Sequence, residues 1–133
     1  MRLTPLNALS PLDGRYHAKV AALSEHFSEY ALIRYRVQVE VEWLKALAAE
    51  PAIAEVAPFS KATNERLDAD VAGFAEQDAQ AVKAIEARTN HDVKAIEYWL
   101  RDRLADAPEV LRVTQFIHFA CTSEDINSLC HAM

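Results

Sequence analysis

The chain has 133 residues, 51% of them apolar, and a formal net charge of −6 at pH 7. This length and apolar content suit one domain with an ordinary core and argue against a disordered tail. The negative charge excludes a general attraction for nucleic-acid phosphates, and the lack of an 18-residue apolar run excludes a membrane span. Only two glycines occur and good helix formers dominate, so we predict an all-α fold.

Residues 1–14 are predicted to form an irregular lead-in, because Pro5 and the Asp13-Gly14 pair are turn signals. The first residues contain no apolar segment of the kind that marks a signal peptide. The two cysteines are too few for a disulfide framework. We therefore expect a cytoplasmic protein.

A long helix is predicted over residues 28–49. Apolar residues recur there at three- and four-residue steps, starting at Phe27 and Tyr30, and no proline or glycine interrupts them. Residues 37–42 also alternate as a strand would, but this alternation is short, whereas the helical stripe runs for about six turns. The longer pattern favours the helix.

Four further helices are predicted from stripes of apolar residues separated by turn or cap signals. Their apolar faces are predicted to be Leu67, Val71 and Phe74; Ala79, Val82 and Ile85; Val93, Ile96, Leu100 and Leu104; and Ile126, Leu129, Cys130 and Met133. Ser60 or Thr63 is expected to cap the first of them. A short additional helix is expected near residues 109–117, and Trp43 and Trp99 are expected to fill the core.

Three polar segments interrupt this apolar, helical design. The first segment, residues 10–16 (Ser-Pro-Leu-Asp-Gly-Arg-Tyr), presents Arg15 and Tyr16 directly after a turn. A guanidinium offers forked donors that match phosphate or carboxylate, and a phenol adds a hydroxyl donor. A surface turn with a solvated arginine would explain the same residues.

The second segment, residues 88–94, contains Thr89 and, three residues later, Asp92. This spacing predicts a capping box with Thr89 as the helix cap. Asn90 and His91 would then occupy the first turn, where free N–H groups favour an anion, and a histidine there can donate to the anion or move protons. An ordinary helix start with a spectator histidine is the alternative.

The third segment, residues 116–127, places Thr122 and Asp125 at the same capping-box spacing. Thr122 and Ser123 would bring two adjacent hydroxyls to a helix N-terminus, which can cradle a carboxylate. A plain helix cap is the alternative.

In the same region, His118, Cys121, Cys130 and His131 have some zinc-like spacing. However, Cys130 and His131 are adjacent and would point about 100° apart on a helix. We therefore predict no metal site.

In order and spacing, the three polar segments resemble the N-terminal region of the adenylosuccinate lyase family, within the fumarase/aspartase superfamily. The resemblance spans essentially the whole chain, including residues 27–30 and 36–40. It implies an N-terminal helical domain over residues 15–121, followed from residue 122 by the start of a long helix of a central bundle. The last helical stripe has no stop signal, so we expect that helix to continue beyond the given sequence.

The resemblance also implies a reaction and a set of contacts. The reaction is a β-elimination that releases fumarate from adenylosuccinate, giving AMP, and from the succinylcarboxamide ribotide of purine biosynthesis. No metal or organic cofactor is implied, and the family is homotetrameric. Seven residues match substrate-binding positions of the family: Arg15 and Tyr16 for the nucleotide and its phosphate, Asn90, His91 and Asp92 for a second contact, and Thr122 and Ser123 for the succinyl carboxylate.

The family's principal acid histidine and base serine fall beyond residue 133. The resemblance therefore implies no catalytic residue in this chain except an assisting role for His91, and we expect the chain to be inactive alone. Two alternatives stay open: another fumarate-releasing lyase of the superfamily, and a non-catalytic helical interaction module.

Overall fold

The computed structural model describes Thr4 and residues 6–133, and within them every regular element is helical. Residues 1–3 and the turn signal at Pro5 lie outside the described residues. The α-helices are α1 (His17–Val20), α2 (Ser24–Phe27), α3 (Glu29–Ala49), α4 (Lys61–Ala72), α5 (Glu76–Thr89), α6 (Asp92–Arg103), α7 (Pro108–Leu111) and α8 (Ser123–Ala132). Two short 3₁₀ helices also occur: Ala21–Leu23 lies between α1 and α2, and Thr114–Phe116 lies between α7 and α8. The all-α prediction is confirmed.

Helix α3 is the central element, and its prediction over residues 28–49 is confirmed. Ser28 caps it, because the Ser28 Oγ accepts a hydrogen bond from the Ala31 N–H at 3.1 Å. Its 21 residues span about 30 Å. Four of the six residues at 37–42 are buried, since α3 contacts α4, α5, α6 and α8. A helix covered on several sides needs apolar residues beyond one stripe, which explains the local alternation.

The main core lies where α3 meets α4, α5 and α6. The apolar faces predicted for α5 and α6 are buried, including Val82, Ile96 and Leu100. The Trp99 and Phe74 rings pack nearly perpendicular to each other with a centroid distance of 5.2 Å. Burial of such aliphatic and aromatic side chains is the principal force that holds these helices together.

Helix α8 packs separately along α3. Ile126 and Cys130 are buried there against α3 residues such as Tyr35 and Val39. The predicted α8 face was too wide, because Leu129 and Met133 are about half exposed. Helix α3 is the main neighbour of α8 and covers only a narrow stripe of it, so side chains at the edges of that stripe remain in solvent.

Two aromatic predictions were also wrong. Phe27 does not belong to the α3 stripe: it ends α2 and is 82% exposed, because the extended Ser28 breaks the helix between them. Trp43 does not fill the core. It is partly exposed, and its Nε1–H donates to the Phe119 carbonyl at 2.8 Å, so it holds the loop before α8 instead.

Candidate functional site

The first polar segment forms a compact turn. The Ser10 carbonyl accepts hydrogen bonds from the Asp13 and Gly14 N–H groups, both at 3.1 Å, and the Pro11 carbonyl accepts one from the Tyr16 N–H at 2.9 Å. The turn therefore delivers Arg15 and Tyr16 to the surface just before α1.

Arg15 and Tyr16 lie against each other at the end of this turn. The Arg15 guanidinium carbon is 4.8 Å from the centre of the Tyr16 ring, a cation–π distance. Both residues are exposed, and the Arg15 guanidinium makes no ion pair with any described residue. Its forked donors are therefore available to an anion.

The second segment differs from its prediction at the cap. Thr89 is the last residue of α5, where its Oγ1 donates to the Ile85 carbonyl at 3.2 Å. Asn90 follows in the left-handed conformation (φ 52°, ψ 35°) that ends the helix, and asparagine tolerates this conformation better than most residues. The predicted capping box of Thr89 with Asp92 is wrong, because α5 runs up to Thr89 and α6 starts only two residues after Asn90.

His91 is the actual cap of α6. Its Nδ1 accepts a hydrogen bond from the Lys94 N–H at 3.1 Å. In the neutral ring, an accepting Nδ1 leaves the proton on Nε2. The side chain is 53% exposed, so His91 presents an Nε2–H donor to solvent beside a helix N-terminus. Asn90 and His91 thus precede the first turn of α6 instead of occupying it.

Asp92 is the first residue of α6, and both of its carboxylate oxygens have partners. Oδ1 accepts from the Val93 N–H at 2.9 Å, and Oδ2 accepts from Arg36 Nη2 at 2.7 Å. Partial burial opposes ionisation of Asp92, but these two donors outweigh it, so the pKa of Asp92 lies below its ordinary value.

The third segment begins with an irregular loop. His118 and Ala120 have positive φ values of 64° and 59°, a conformation that costs a non-glycine residue about 1 kcal/mol or more. A hydrogen bond offsets part of this conformational cost: His118 Nδ1–H donates to Oε1 of the fully buried Glu40 at 2.6 Å. Burial raises the pKa of Glu40, although the bond from His118 acts in the opposite direction.

The predicted capping box at α8 is confirmed. Thr122 Oγ1 accepts from the Asp125 N–H at 3.3 Å, and Asp125 Oδ2 accepts from the Thr122 N–H at 2.7 Å. These bonds from Thr122 lower the pKa of Asp125. Ser123, the first residue of α8, is partly exposed, and its hydroxyl makes no hydrogen bond with any described residue. Thr122 therefore serves the helix and Ser123 keeps its hydroxyl free.

Helix α3 brings the second and third segments together. Arg36 donates from Nη2 to Asp92 and from Nε to Asn127 Oδ1 at 2.9 Å. Among the described residues, no hydrogen bond, ion pair or ring contact joins Arg15 or Tyr16 to either segment. Arg36 and Glu40 contribute to this arrangement and are not among the residues predicted from the sequence. Their signal was a pair of opposite charges four residues apart on a predicted helix, interleaved with Val37, Val39 and Val41.

The described residues meet neither the requirements for a metal site nor those for a membrane-spanning helix. In Thr4 and residues 6–133, no group of three or more His, Cys, Asp or Glu side chains is arranged to hold a metal ion. Cys130 is a free thiol whose pKa burial raises to about 11. None of the described helices has both the length and the apolar character needed to cross a membrane.

Comparison with known proteins places this arrangement in context. Adenylosuccinate lyase of Escherichia coli (strain K12) is 57% identical over all 133 residues. The adenylosuccinate lyases of Haemophilus influenzae and Vibrio cholerae are 55% and 54% identical over the same span. The resemblance inferred from the three polar segments is confirmed.

In each of these relatives the alignment covers 100% of this chain but 29% of the relative, so the chain spans less than a third of their length. A family model described as "Lyase" matches residues 14–133. Since that match takes in Gly14 to Tyr16 of the first polar segment, the whole of the other two and every helix of the described residues, the chain belongs to this lyase family.

Proposed function

We propose that this chain is the N-terminal part of an adenylosuccinate lyase, whose whole form eliminates fumarate from adenylosuccinate, giving AMP, and from the succinylcarboxamide ribotide of purine biosynthesis. The observation that carries the proposal is the presence of three anion-suited polar segments in a chain 57% identical throughout to a relative of that name. Because the chain spans 29% of that relative, the activity is assigned to a longer protein.

In this proposal the first segment binds the nucleotide. Adenylosuccinate carries a phosphate, and the exposed Arg15 guanidinium offers two parallel donors to it. The cation–π contact with Tyr16 limits the rotamers of Arg15 before substrate arrives. The Tyr16 hydroxyl is an additional donor on the same surface.

The second segment supplies a hydrogen-bond donor through His91. Capping of α6 fixes the Nδ1 side of the ring, so the Nε2–H direction is fixed too. That donor suits a carboxylate or phosphate oxygen of the substrate. Asn90, exposed and adjacent, contributes an amide to the same surface.

The third segment receives a succinyl carboxylate. The N-terminus of α8 adds the favourable end of the helix dipole and free N–H groups. Thr122 fixes the start of α8 through its capping box. The Ser123 hydroxyl, which has no hydrogen-bond partner among the described residues, donates to the carboxylate.

The acid and the base of the elimination are assigned to the rest of the longer protein. A β-elimination needs one group to remove the Cβ proton and another to protonate the leaving nitrogen. His91 has one available ring nitrogen and can assist in only one of these steps. By the same resemblance, the proposed enzyme is a cytoplasmic homotetramer that uses no metal or organic cofactor.

Turnover of adenylosuccinate by the longer protein tests the function, with Arg15→Ala as the diagnostic variant. Loss of a charge-assisted hydrogen bond to phosphate costs about 1.5–3 kcal/mol, so we expect KM to rise at least tenfold while the melting temperature stays unchanged. Arg112→Ala, at another exposed arginine outside the three segments, is the matched control and should leave KM unchanged.

Two results would contradict this assignment. Turnover of a succinyl compound that lacks a nucleotide, without turnover of adenylosuccinate, would identify another lyase of the superfamily. A large loss of thermal stability in Arg15→Ala with an unchanged KM would make the first segment purely structural.

Capping and binding should separate at Thr122 and Ser123. Thr122→Ala removes the cap and is expected to lower the free energy of unfolding of the chain by about 1 kcal/mol. Ser123→Ala removes a hydroxyl without a protein partner, so stability should hardly change, while fumarate inhibition of the longer protein should weaken about tenfold. Urea unfolding and inhibition constants give the two readouts.

Thr122→Ser is the control for the cap, because it keeps the hydroxyl and should retain stability. Unchanged fumarate inhibition in Ser123→Ala would refute the carboxylate cradle. Equal losses of stability in both alanine variants would mean that Ser123 also supports the helix.

A further inference from the structure

A single buried arginine connects the two helix starts that carry the second and third segments. The Arg36 side chain lies in the middle of α3 and is only 7% exposed. Its Nη2 donates to Asp92 Oδ2 at 2.7 Å, in α6, and its Nε donates to Asn127 Oδ1 at 2.9 Å, in α8. The partners lie 56 and 91 residues away along the chain.

We propose that Arg36 is a positioning residue that fixes the second and third segments relative to each other, and that Asp92 serves the site through Arg36 instead of binding substrate. The inference rests on the proposed function and deepens it. It also revises the substrate contact that the resemblance implied for Asp92.

The hydrogen bonds of Asp92 support this division of roles. One carboxylate oxygen accepts from the Val93 N–H and the other from the guanidinium. A carboxylate with two donors in place, and a negative charge, is a poor partner for the phosphate or carboxylates of the substrate. Its charge instead balances the buried Arg36, which would otherwise be costly to hold away from water.

Helix geometry explains how Arg36 can influence the directions of the His91 and Ser123 donors. Asp92 directly follows His91, the cap that aims its Nε2–H donor. Asn127 lies four residues after Ser123, and residues four apart share one face of a helix. A bond to Asn127 therefore restrains the rotation of α8 about its axis and with it the direction of the Ser123 hydroxyl.

The geometry also requires arginine. Its planar fork offers donors in two fixed directions from one group, whereas a lysine ammonium is a point charge on a flexible stem. Lysine could neutralise Asp92 but could not hold both partners in a fixed relation. A purely electrostatic role and a positioning role therefore predict different outcomes for Arg36→Lys.

A double-mutant cycle in the longer protein tests the proposal. Asp92→Asn is expected to lower kcat/KM for adenylosuccinate at least tenfold in the wild-type background. In an Arg36→Met background the same change should lower it less than twofold, because the link is already lost. An equal loss in both backgrounds would place Asp92 on the substrate and overturn the proposal.

Arg36→Lys separates positioning from charge. We expect it to keep the melting temperature near that of the wild type but to lower kcat/KM at least tenfold. A wild-type melting temperature together with a wild-type kcat/KM in Arg36→Lys would overturn the proposal. Arg34→Met is the matched control: Arg34 lies on the same helix but donates to the Glu25 carbonyl at 2.9 Å, so kcat/KM should be unchanged.

Amide hydrogen exchange supplies a readout that needs no turnover. In Asp92→Asn, exchange at the Asp125 to Asn127 amides of α8 should become faster, although the change lies in α6. Unchanged exchange would show that Arg36 does not couple the segments. Absence of adenylosuccinate turnover in the wild-type protein would instead refute the proposed function, so the two failures are distinguishable.

Discussion

The 133-residue chain alone is expected to release no measurable fumarate from adenylosuccinate, whereas the longer protein should turn over at an ordinary enzymatic rate, about 1 s⁻¹ or more. General acid and base catalysis each contribute about 10²–10⁴ in rate. Loss of both, together with incomplete substrate positioning, would remove many orders of magnitude.

The described side chains explain why the chain should be inert. His91 has Nδ1 engaged in capping α6, so one nitrogen remains for chemistry. Both carboxylate oxygens of Asp92 and Oδ2 of Asp125 accept hydrogen bonds, and the pKa of each residue is lowered, which makes them weak bases. Glu40 is fully buried against His118. None of these carboxylates is poised to remove a Cβ proton.

Fumarate release followed by absorbance provides the measurement, with the longer protein as the positive control. Circular dichroism of the isolated chain must show high helix content, so that absence of turnover is not a consequence of unfolding. Turnover of about 1 s⁻¹ by a helical, isolated chain would show that acid and base lie within these residues.

His118→Ala is expected to produce the largest loss of stability, about 3 kcal/mol at pH 7. Glu40 is fully buried and depends on His118 for its hydrogen bond, and its other oxygen, Oε2, is buried without a partner among the described residues. Removal of one partner from a buried pair leaves an uncompensated charge, which costs about 3–5 kcal/mol. Urea unfolding of the chain measures the change.

The stability lost in His118→Ala is expected to become smaller as the pH falls. Burial and the neighbouring Glu97 raise the pKa of Glu40 above its usual 4.5, so ionised Glu40 disfavours folding, and this penalty disappears as the pH falls through the folded-state pKa. His118→Ala should therefore be much less stable than the double variant Glu40→Gln/His118→Ala at pH 7, and the gap should narrow toward pH 5.

His118→Gly controls for the backbone. Glycine accepts the positive φ of residue 118 without strain, so this variant should be about 1 kcal/mol more stable than His118→Ala. If both variants retain wild-type stability, the bond between His118 and Glu40 does not hold the loop before α8.

Local signals predicted most helices correctly. Ser60 and Thr122 are helix caps as predicted, and the apolar periodicity placed α3, α5 and α6. These features involve residues within about four positions of each other, so the sequence specifies them without reference to the rest of the fold. The family resemblance likewise depended on short contiguous segments.

The cap between α5 and α6 was decided by tertiary structure. On local grounds Thr89 was the expected cap of the next helix. Packing of α5 against α6 requires α5 to continue to Thr89 and the chain to reverse through a left-handed Asn90. His91 then becomes the cap, and this outcome sets the direction of its Nε2–H.

The sequence by itself therefore determined the all-helical class, the Ser60 and Thr122 caps and the three polar segments, because each depends on neighbours along the chain. Only the tertiary structure decided which of these segments meet. Arg36 joins α6 to α8, and Glu40 holds His118 from 78 residues away. These pairings depend on how α3 is buried among the other helices. A buried charged side chain is costly without a partner, so it is stable only where the fold places an oppositely charged or hydrogen-bonding group beside it.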